Sequence, residues 1–266
     1  KTAVSGFGAV AVTKLAVERI EQTDGGFAID ALDRCGGQRM RIESRTVLAA
    51  TGAFAPPEID GDQPLHLLRS KGTHLLAPKA ALDLGDRALV RPETDDGRVM
   101  YLVPWLGHTM IGTTDTAYDD DPEHPRPIAA DVDFLVRHVK RYLDVPDFEP
   151  ISAFAGLRAL KDEGRGSTAT TSREHVIDEP VPGYVRVAGG KLTTYRKIAA
   201  EAGDRVAARL GVRARSTTAS IPLVGAAGSH AHMRGRLAEV GIARSAIGPT
   251  IARYGTEVEL IARIVE

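Results

Sequence analysis

Four side chains in this sequence are of types that could carry chemistry, and they stand in three settings. Arg158 and Arg173 flank residues 161–172, a polar stretch rich in Gly, Ser and Thr that is too long for a tight turn. Loops of that length and composition commonly lie at binding sites. Arginine offers a planar fork of donors that matches phosphate and keeps its charge at any working pH. Two arginines in one pocket would clamp an anion, whereas two arginines in solvent are an ordinary charged surface. His74 follows Lys71-Gly72-Thr73. Its near-neutral pKa permits it to hydrogen-bond or deprotonate a substrate hydroxyl, although a half-buried histidine can simply be satisfied by a backbone carbonyl. Lys191 follows Gly189-Gly190 at a strand-to-helix turn. Glycines there let backbone N–H groups approach an anionic or electron-rich ligand with no side chain in the way. His175 reads better as a packing or orienting residue. The remaining histidines show no metal-ligand spacing with Cys or acidic residues, so no metal is expected. No Ser-His-Asp arrangement, Walker loop or Cys-His pair competes with these candidates.

The elements that must position these residues can be read from periodicity. Residues 184–188 alternate as a strand, and from Leu192 the apolar positions Tyr195, Ile198, Ala202, Val206 and Leu210 follow one face of a 3.6-residue period. Gly211 stands where a left-handed C-terminal cap is expected, and Thr193 or Thr194 can cap the first turn. Arg158 falls on a predicted strand over 151–160, and a further strand covers 175–177. Residues 73–77, 88–91, 99–103 and 109–112 read as strands, the last two a hairpin around Leu106-Gly107-His108. Residues 45–50 form a short, almost wholly apolar run, as expected of a parallel strand buried on both faces, and it ends in Thr51-Gly52. Segments 17–20, 27–32 and 40–42 suggest an antiparallel meander. An amphipathic helix over 131–143 is stopped by Pro146 and is assigned no chemistry. Helical patterns return at 232–240 and 257–265. Gly6-Phe7-Gly8-Ala9-Val10-Ala11 fits the letters of a dinucleotide fingerprint, but only five residues precede it and Val10 and Val12 alternate as in a strand. It is therefore not read as a phosphate loop.

Composition narrows the classes. At 266 residues the chain can hold one large or two modest domains. A net charge of −1 gives no electrostatic case for nucleic acid. The single cysteine, Cys35, rules out an internal disulfide and suits a reducing compartment. No apolar run reaches the length of a membrane-spanning helix, and no secretory signal opens the chain. The sequence begins at Lys1 and its last helical pattern runs into Glu266, so a piece of a longer protein is expected.

The string Gly189-Gly190-Lys191-Leu192-Thr193-Thr194-Tyr195-Arg196 resembles the signature of FAD-dependent glycerol-3-phosphate dehydrogenases. Ala49-Ala50-Thr51-Gly52, Lys71-Gly72-Thr73-His74, Pro104-Trp105-Leu106-Gly107, Ile111-Gly112-Thr113-Thr114-Asp115, Ala155-Gly156-Leu157-Arg158 and Thr171-Ser172-Arg173-Glu174-His175 occur in that family's order. Together they cover roughly residues 10–223, and an ordered set is far more specific than any member of it. The resemblance implies a mixed α/β fold. It consists of part of a Rossmann-like FAD-binding domain (1–60), a mixed β-sheet substrate domain (61–155), substrate-site strands returning to the FAD domain (156–212), and the start of a helical domain (213–266). It also implies oxidation of glycerol 3-phosphate to dihydroxyacetone phosphate by hydride transfer to FAD, with electrons passed to a quinone-type acceptor.

On this reading His74 and Lys191 are catalytic, and Arg158, Arg173 and His74 bind the phosphorylated substrate. Thr51, Gly52, Gly189, Gly190, Lys191, Leu192 and Thr193 meet the cofactor. Lys191 with the helix N-terminus would favour the negative charge that arrives on the flavin, or Lys191 would reach the substrate phosphate. A cytoplasmic protein, peripheral on the inner face of the membrane and compatible with a homo-oligomer, is the accompanying expectation. The family's Gly-rich FAD loop has no counterpart in this sequence, so the isolated piece is expected to bind FAD weakly or not at all. Two other readings stand beside this one: a related amine or amino-acid oxidase, and a non-catalytic binding module.

Overall fold

The computed structural model describes residues 2–57, 59–62, 65–91, 94–161, 174–226 and 228–266. A short helix, α1 (Thr2–Phe7), comes first, followed by β1 (Leu15–Thr23), β2 (Gly26–Asp33) and β3 (Arg39–Ser44). Next come β4 (Val47–Ala49), β5 (Leu67–Pro78), β6 (Leu89–Arg91), β7 (Met100–Trp105), β8 (His108–Gly112) and β9 (Thr116–Ala117). Helix α2 (Ala129–Tyr142) leads to β10 (Ser152–Lys161), β11 (His175–Val181), β12 (Tyr184–Gly189) and α3 (Tyr195–Arg209). Helices α4 (His230–Glu239), α5 (Arg244–Tyr254) and α6 (Val258–Val265) close the sequence. The chain divides into two units, residues 17–31 with 39–214, and residues 1–16 with 32–38 and 215–266. No described helix is long and apolar enough to cross a membrane.

The larger unit is built on β5. Strands β10-β5-β8-β7-β6 lie side by side in that order, and β9 also pairs with β5. Along β5 the residues alternate: Thr73, Leu75 and Ala77 are fully buried on one face, and Leu75 and Ala77 share a core with Leu135 and Val139 of α2. Burying such aliphatic side chains contributes about 1.5–3 kcal/mol each, which fixes α2 against that face and leaves the other face for different use. His138 of α2 is buried too. Its Nε2 accepts the Asp95 N–H at 3.0 Å, and its Nδ1 therefore donates to the Phe134 carbonyl at 2.7 Å.

A three-stranded sheet in the order β11-β12-β4 leads into the turn at Gly189-Gly190 and helix α3, with β4 parallel to β12. Tyr184 and Val185 of β12 are fully buried. The Tyr184 hydroxyl donates to the Pro57 carbonyl at 2.8 Å, and burial, helped by the Asp62 carboxylate, pushes its pKa up to about 12. Arg186, 4% exposed, is bound by Asp62 and Asp178. These buried contacts hold β12 rigid up to Gly189.

Several expectations are corrected. Residues 8–14 form no strand, and the residues before them are helical. β4 is an edge strand rather than one buried on both faces, and Leu48 remains 45% exposed. Neither Thr193 nor Thr194 caps α3 through its side chain. A 3-10 turn over Leu192–Thr194 precedes the helix, and the Thr194 hydroxyl donates back to the Lys191 carbonyl at 2.9 Å. At the other end Gly211 (φ 71°) behaves as expected. Its N–H donates to Ala208 and that of Val212 to Ala207, the paired bonds of a Schellman cap.

In the smaller unit α4, α5 and α6 enclose Met233, Leu237, Ile247, Ile251 and Val258. Helix α5 lies between the two helical patterns expected at 232–240 and 257–265, and it continues through Pro249.

Candidate active site

The face of the β5 sheet opposite α2 carries the candidates. Register places Phe154, His74, Gly112 and Tyr101 in one row across β10, β5, β8 and β7. One step away Gly156 faces Gly72, and Arg158 faces Ser70. Two of these glycines act as seats. A Cβ on Gly112 would lie 2.7 Å from His74 Nε2 and 2.9 Å from Cγ, so the imidazole lies flat across the bare backbone. A Cβ on Gly72 would lie 2.6 Å from Arg158 Nη1 and 2.7 Å from Cζ, so the guanidinium does the same. Phe154 stacks on His74 from the neighbouring strand, ring centroids 5.3 Å apart and planes 11° from parallel.

His74 is half-buried, and among the described residues neither ring nitrogen has a hydrogen-bond partner. Among the described residues no carbonyl satisfies it. Burial, and secondly the positive charge of Arg158, lower its pKa from the ordinary 6.5, so at neutral pH it is an unprotonated imidazole able to accept a proton. Arg158 Nη1 donates to Ser70 Oγ and to the Thr114 carbonyl, each at 3.3 Å, and Nη2 donates to Thr113 Oγ1 at 3.1 Å. The Ser70 hydroxyl in turn donates to Asp115 Oδ1. Base and cation are thus side by side.

The other face of the same strand is locked by a buried ion pair. Lys71 Nζ lies 2.8 Å from Asp131 Oδ2, with both side chains 5% exposed, and it also donates to the Arg126 carbonyl at 3.2 Å. Asp131 accepts from Thr73 Oγ1 at 2.9 Å and from the Ile128 N–H at the start of α2. Burial alone would raise the Asp131 carboxyl, but the hydrogen bonds from Lys71, Ile128 and Thr73 outweigh it and hold the pKa below the usual range. Lys71 and Thr73 alternate with Gly72 and His74, so the lock sets the strand on which the site lies.

A cleft of about 870 Å³ joins Arg158 to the glycine turn at Gly189-Gly190. Leu48, Ala50, Val187, Ala188, Ile198 and Ala202 give it apolar walls, and Gly52, Gly189, Gly190, Lys191 and Leu192 of the predicted cofactor set line it as well. Gly189 and Gly190 have φ of 70° and 83°. A Cβ on Gly189 would lie 2.8 Å from the Glu174 carbonyl, and one on Gly190 would lie 2.5 Å from Ile198 Cδ1. Only glycine fits both conformation and space here. The start of α3 presents first-turn amides beside this turn. Lys191 is exposed at its rim.

Of the other predicted residues, Thr51 donates its hydroxyl to the Phe54 carbonyl at 2.9 Å, and neither Thr51 nor Thr193 is among the lining residues. Arg173 lies outside the described residues. His175 Nε2 meets Glu201 Oε2 of α3 at 2.6 Å, an orienting contact between β11 and α3. Among the described residues no group of three or more His, Cys, Asp or Glu could hold a metal ion. Sequence reasoning passed over Ser70, Gly112, Asp115 and Asp131 as functional positions. The alternation of β5 hinted at the two faces, but no local signal announced the cross-strand contacts.

Residues 2–196 match the protein family described as FAD dependent oxidoreductase. The glycerol-3-phosphate dehydrogenase of Mycobacterium leprae is 33% identical over 224 residues, which are 80% of this chain and 37% of that protein. The solved structure of glycerol-3-phosphate dehydrogenase from Bacillus halodurans complexed with FAD matches with a TM-score of 0.78 and 28% identity, over 96% of this chain and 52% of that one. Glycine oxidase from Geobacillus kaustophilus shares the fold at a TM-score of 0.53 and 20% identity, over 85% of this chain and 56% of that one. The chain therefore spans roughly a third to a half of the length of these relatives.

Proposed function

This chain belongs to the FAD-dependent oxidoreductase family, and from that premise we propose that the protein oxidises glycerol 3-phosphate at its C2 hydroxyl to dihydroxyacetone phosphate. The observation that carries this reading is the placement on one sheet face of His74, whose ring nitrogens have no hydrogen-bond partner among the described residues, with the guanidinium of Arg158, beside the glycine-floored cleft of residues 189–192. The named relatives support the substrate, and the ordered motifs support the residue roles.

The cleft suits a flavin. Its apolar walls match a planar ring, its turn glycines present backbone with no side chain, and the start of α3 with Lys191 would favour negative charge on a ring held there. FAD, when bound, supplies the two-electron acceptor for the hydride from C2. Against it the chain's own residues have distinct tasks. Arg158, with Arg173 as its proposed partner, binds the phosphate and fixes the substrate's orientation. His74 accepts the C2 hydroxyl proton as the carbonyl forms. Lys191 supplies positive charge at the glycine turn. A quinone-type acceptor for the electrons, and peripheral contact with the membrane that holds it, belong to the same proposal and rest on the resemblance alone.

The test is anaerobic addition of glycerol 3-phosphate to the full-length flavoprotein, following the flavin band near ~450 nm. Bleaching that Arg158→Ala or Arg173→Ala shifts to far higher glycerol 3-phosphate concentration is the expected result. A flavin that stays oxidised with glycerol 3-phosphate but bleaches with an amino acid overturns the substrate assignment in favour of an amine oxidase.

A further inference from the structure

We propose that Asp115 is a positioning residue which, acting through Ser70, holds the Arg158 guanidinium in its substrate-binding pose. The inference rests on the role given to Arg158 above and extends it to a residue that touches neither substrate nor flavin.

The geometry is that of a buried relay. Ser70 is completely buried and the Asp115 side chain is 3% exposed. An ionised carboxylate only accepts hydrogen bonds, whereas a serine hydroxyl has one proton to give and two lone pairs. The Ser70 proton is committed to Asp115 Oδ1, so its lone pairs are what remain for Arg158 Nη1 at 3.3 Å. Removing the acceptor at residue 115 frees the proton to rotate toward the guanidinium, where donor would face donor. The carboxylate thus fixes the sense of the bond as well as its place.

Asp115 is itself held from both sides. Before it, the Thr73 N–H donates to Thr114 Oγ1 at 2.9 Å, and the Thr114 N–H to the Thr73 carbonyl at 3.4 Å. After it, Thr116 and Ala117 pair with Lys71 and Ser70 along β5. The backbone therefore brings Asp115 to Ser70 without relying on the side-chain bond. Thr113 and Thr114 supply two more acceptors for Arg158, so the run 113–115 together cradles the guanidinium. The Asp115 carboxylate, whose Oδ2 also lies 4.0 Å from Arg98 Nη1, places a negative charge one hydroxyl from the guanidinium of Arg158.

The experiment is a double-mutant cycle on the FAD-loaded full-length protein. Flavin reduction by glycerol 3-phosphate is read as an apparent Kd and a limiting rate for wild type, Asp115→Ala, Ser70→Ala, Arg158→Ala and Asp115→Ala/Arg158→Ala. Asp115→Ala and Ser70→Ala should each weaken the apparent Kd by roughly tenfold, the scale of a lost hydrogen bond to a charged group. They should leave flavin content unchanged, and Asp115→Ala should add less than about twofold in the Arg158→Ala background. Should Asp115→Ala not fold, Asp115→Leu removes acceptor and charge at similar volume and carries the same cycle. An unchanged Kd in the Asp115 variants, or a full additional loss on top of Arg158→Ala, overturns the inference alone. Failure of wild type to bleach with glycerol 3-phosphate overturns the proposed function, and this inference with it.

Discussion

The seat beneath His74 gives the sharpest prediction. Gly112 has no Cβ, and one placed there would stand 2.7 Å from His74 Nε2 and closer still to Cδ2, where ordinary contact begins at 3.4 Å. Gly112→Ala must therefore push the imidazole off the backbone by about 1 Å, the scale at which misplaced reacting groups cost about 10²-fold. Phe154, stacked on the ring from β10, limits where it can go. Overpacking of this kind costs about 1–3 kcal/mol, within what most folded proteins survive. Stopped-flow reduction of the FAD-loaded variant should show a limiting rate about 10²-fold below wild type with the apparent Kd for glycerol 3-phosphate nearly unchanged, since Arg158 stays on Gly72. Gly156→Ala is the control: it lies on the same face, opposite Gly72, and a Cβ there meets nothing within 4 Å. A folded, flavin-loaded Gly112→Ala that reduces at the wild-type rate, or a Gly156→Ala that is equally slow, would refute the reasoning.

Two further outcomes follow from charge. Because burial and then Arg158 lower the pKa of His74, its protonated, inactive form accumulates only below the ordinary 6.5. Arg158→Ala removes the second cause, so the acid limb of the residual reduction rate should move to higher pH, and a pH–rate profile showing a downward or absent move counts against the pairing. At the Lys71–Asp131 lock, Asp131→Asn leaves a buried ammonium without its counter-charge and should cost about 3–5 kcal/mol in urea unfolding. The double change Lys71→Met/Asp131→Leu should recover most of that loss, and equal destabilisation by both would show that the pair's charge is not what matters.

How much of this could be read in advance depends on the kind of contact. Periodicity placed Arg158, His74 and Lys191 on their strands and at their turn, and Gly211 on its cap, because those features depend on neighbours a few residues away. It could not say that Gly112 lies under His74 or Gly72 under Arg158, since both seats exist only once β8 and β10 flank β5 in one register. The resemblance in the motifs 71–74, 111–115 and 155–158 stood in for that missing information by naming residues without giving a reason for their neighbours. The threonine cap failed on the same ground: Thr194 has the right type and position, but the 3-10 turn ahead of α3 puts the Lys191 carbonyl within reach of its hydroxyl. Asp115, which closes the motif 111–115 after a strand, and Asp131, in the first turn of a helix, were given no role, since at both positions a solvated carboxylate is the ordinary expectation. What makes them unusual is that each is buried against the same strand from a different side. Asp131 meets Lys71 and Thr73, and Asp115 meets Ser70. Residues 70–74 therefore carry both the reacting face and its support, and a substitution on either face should be felt on the other.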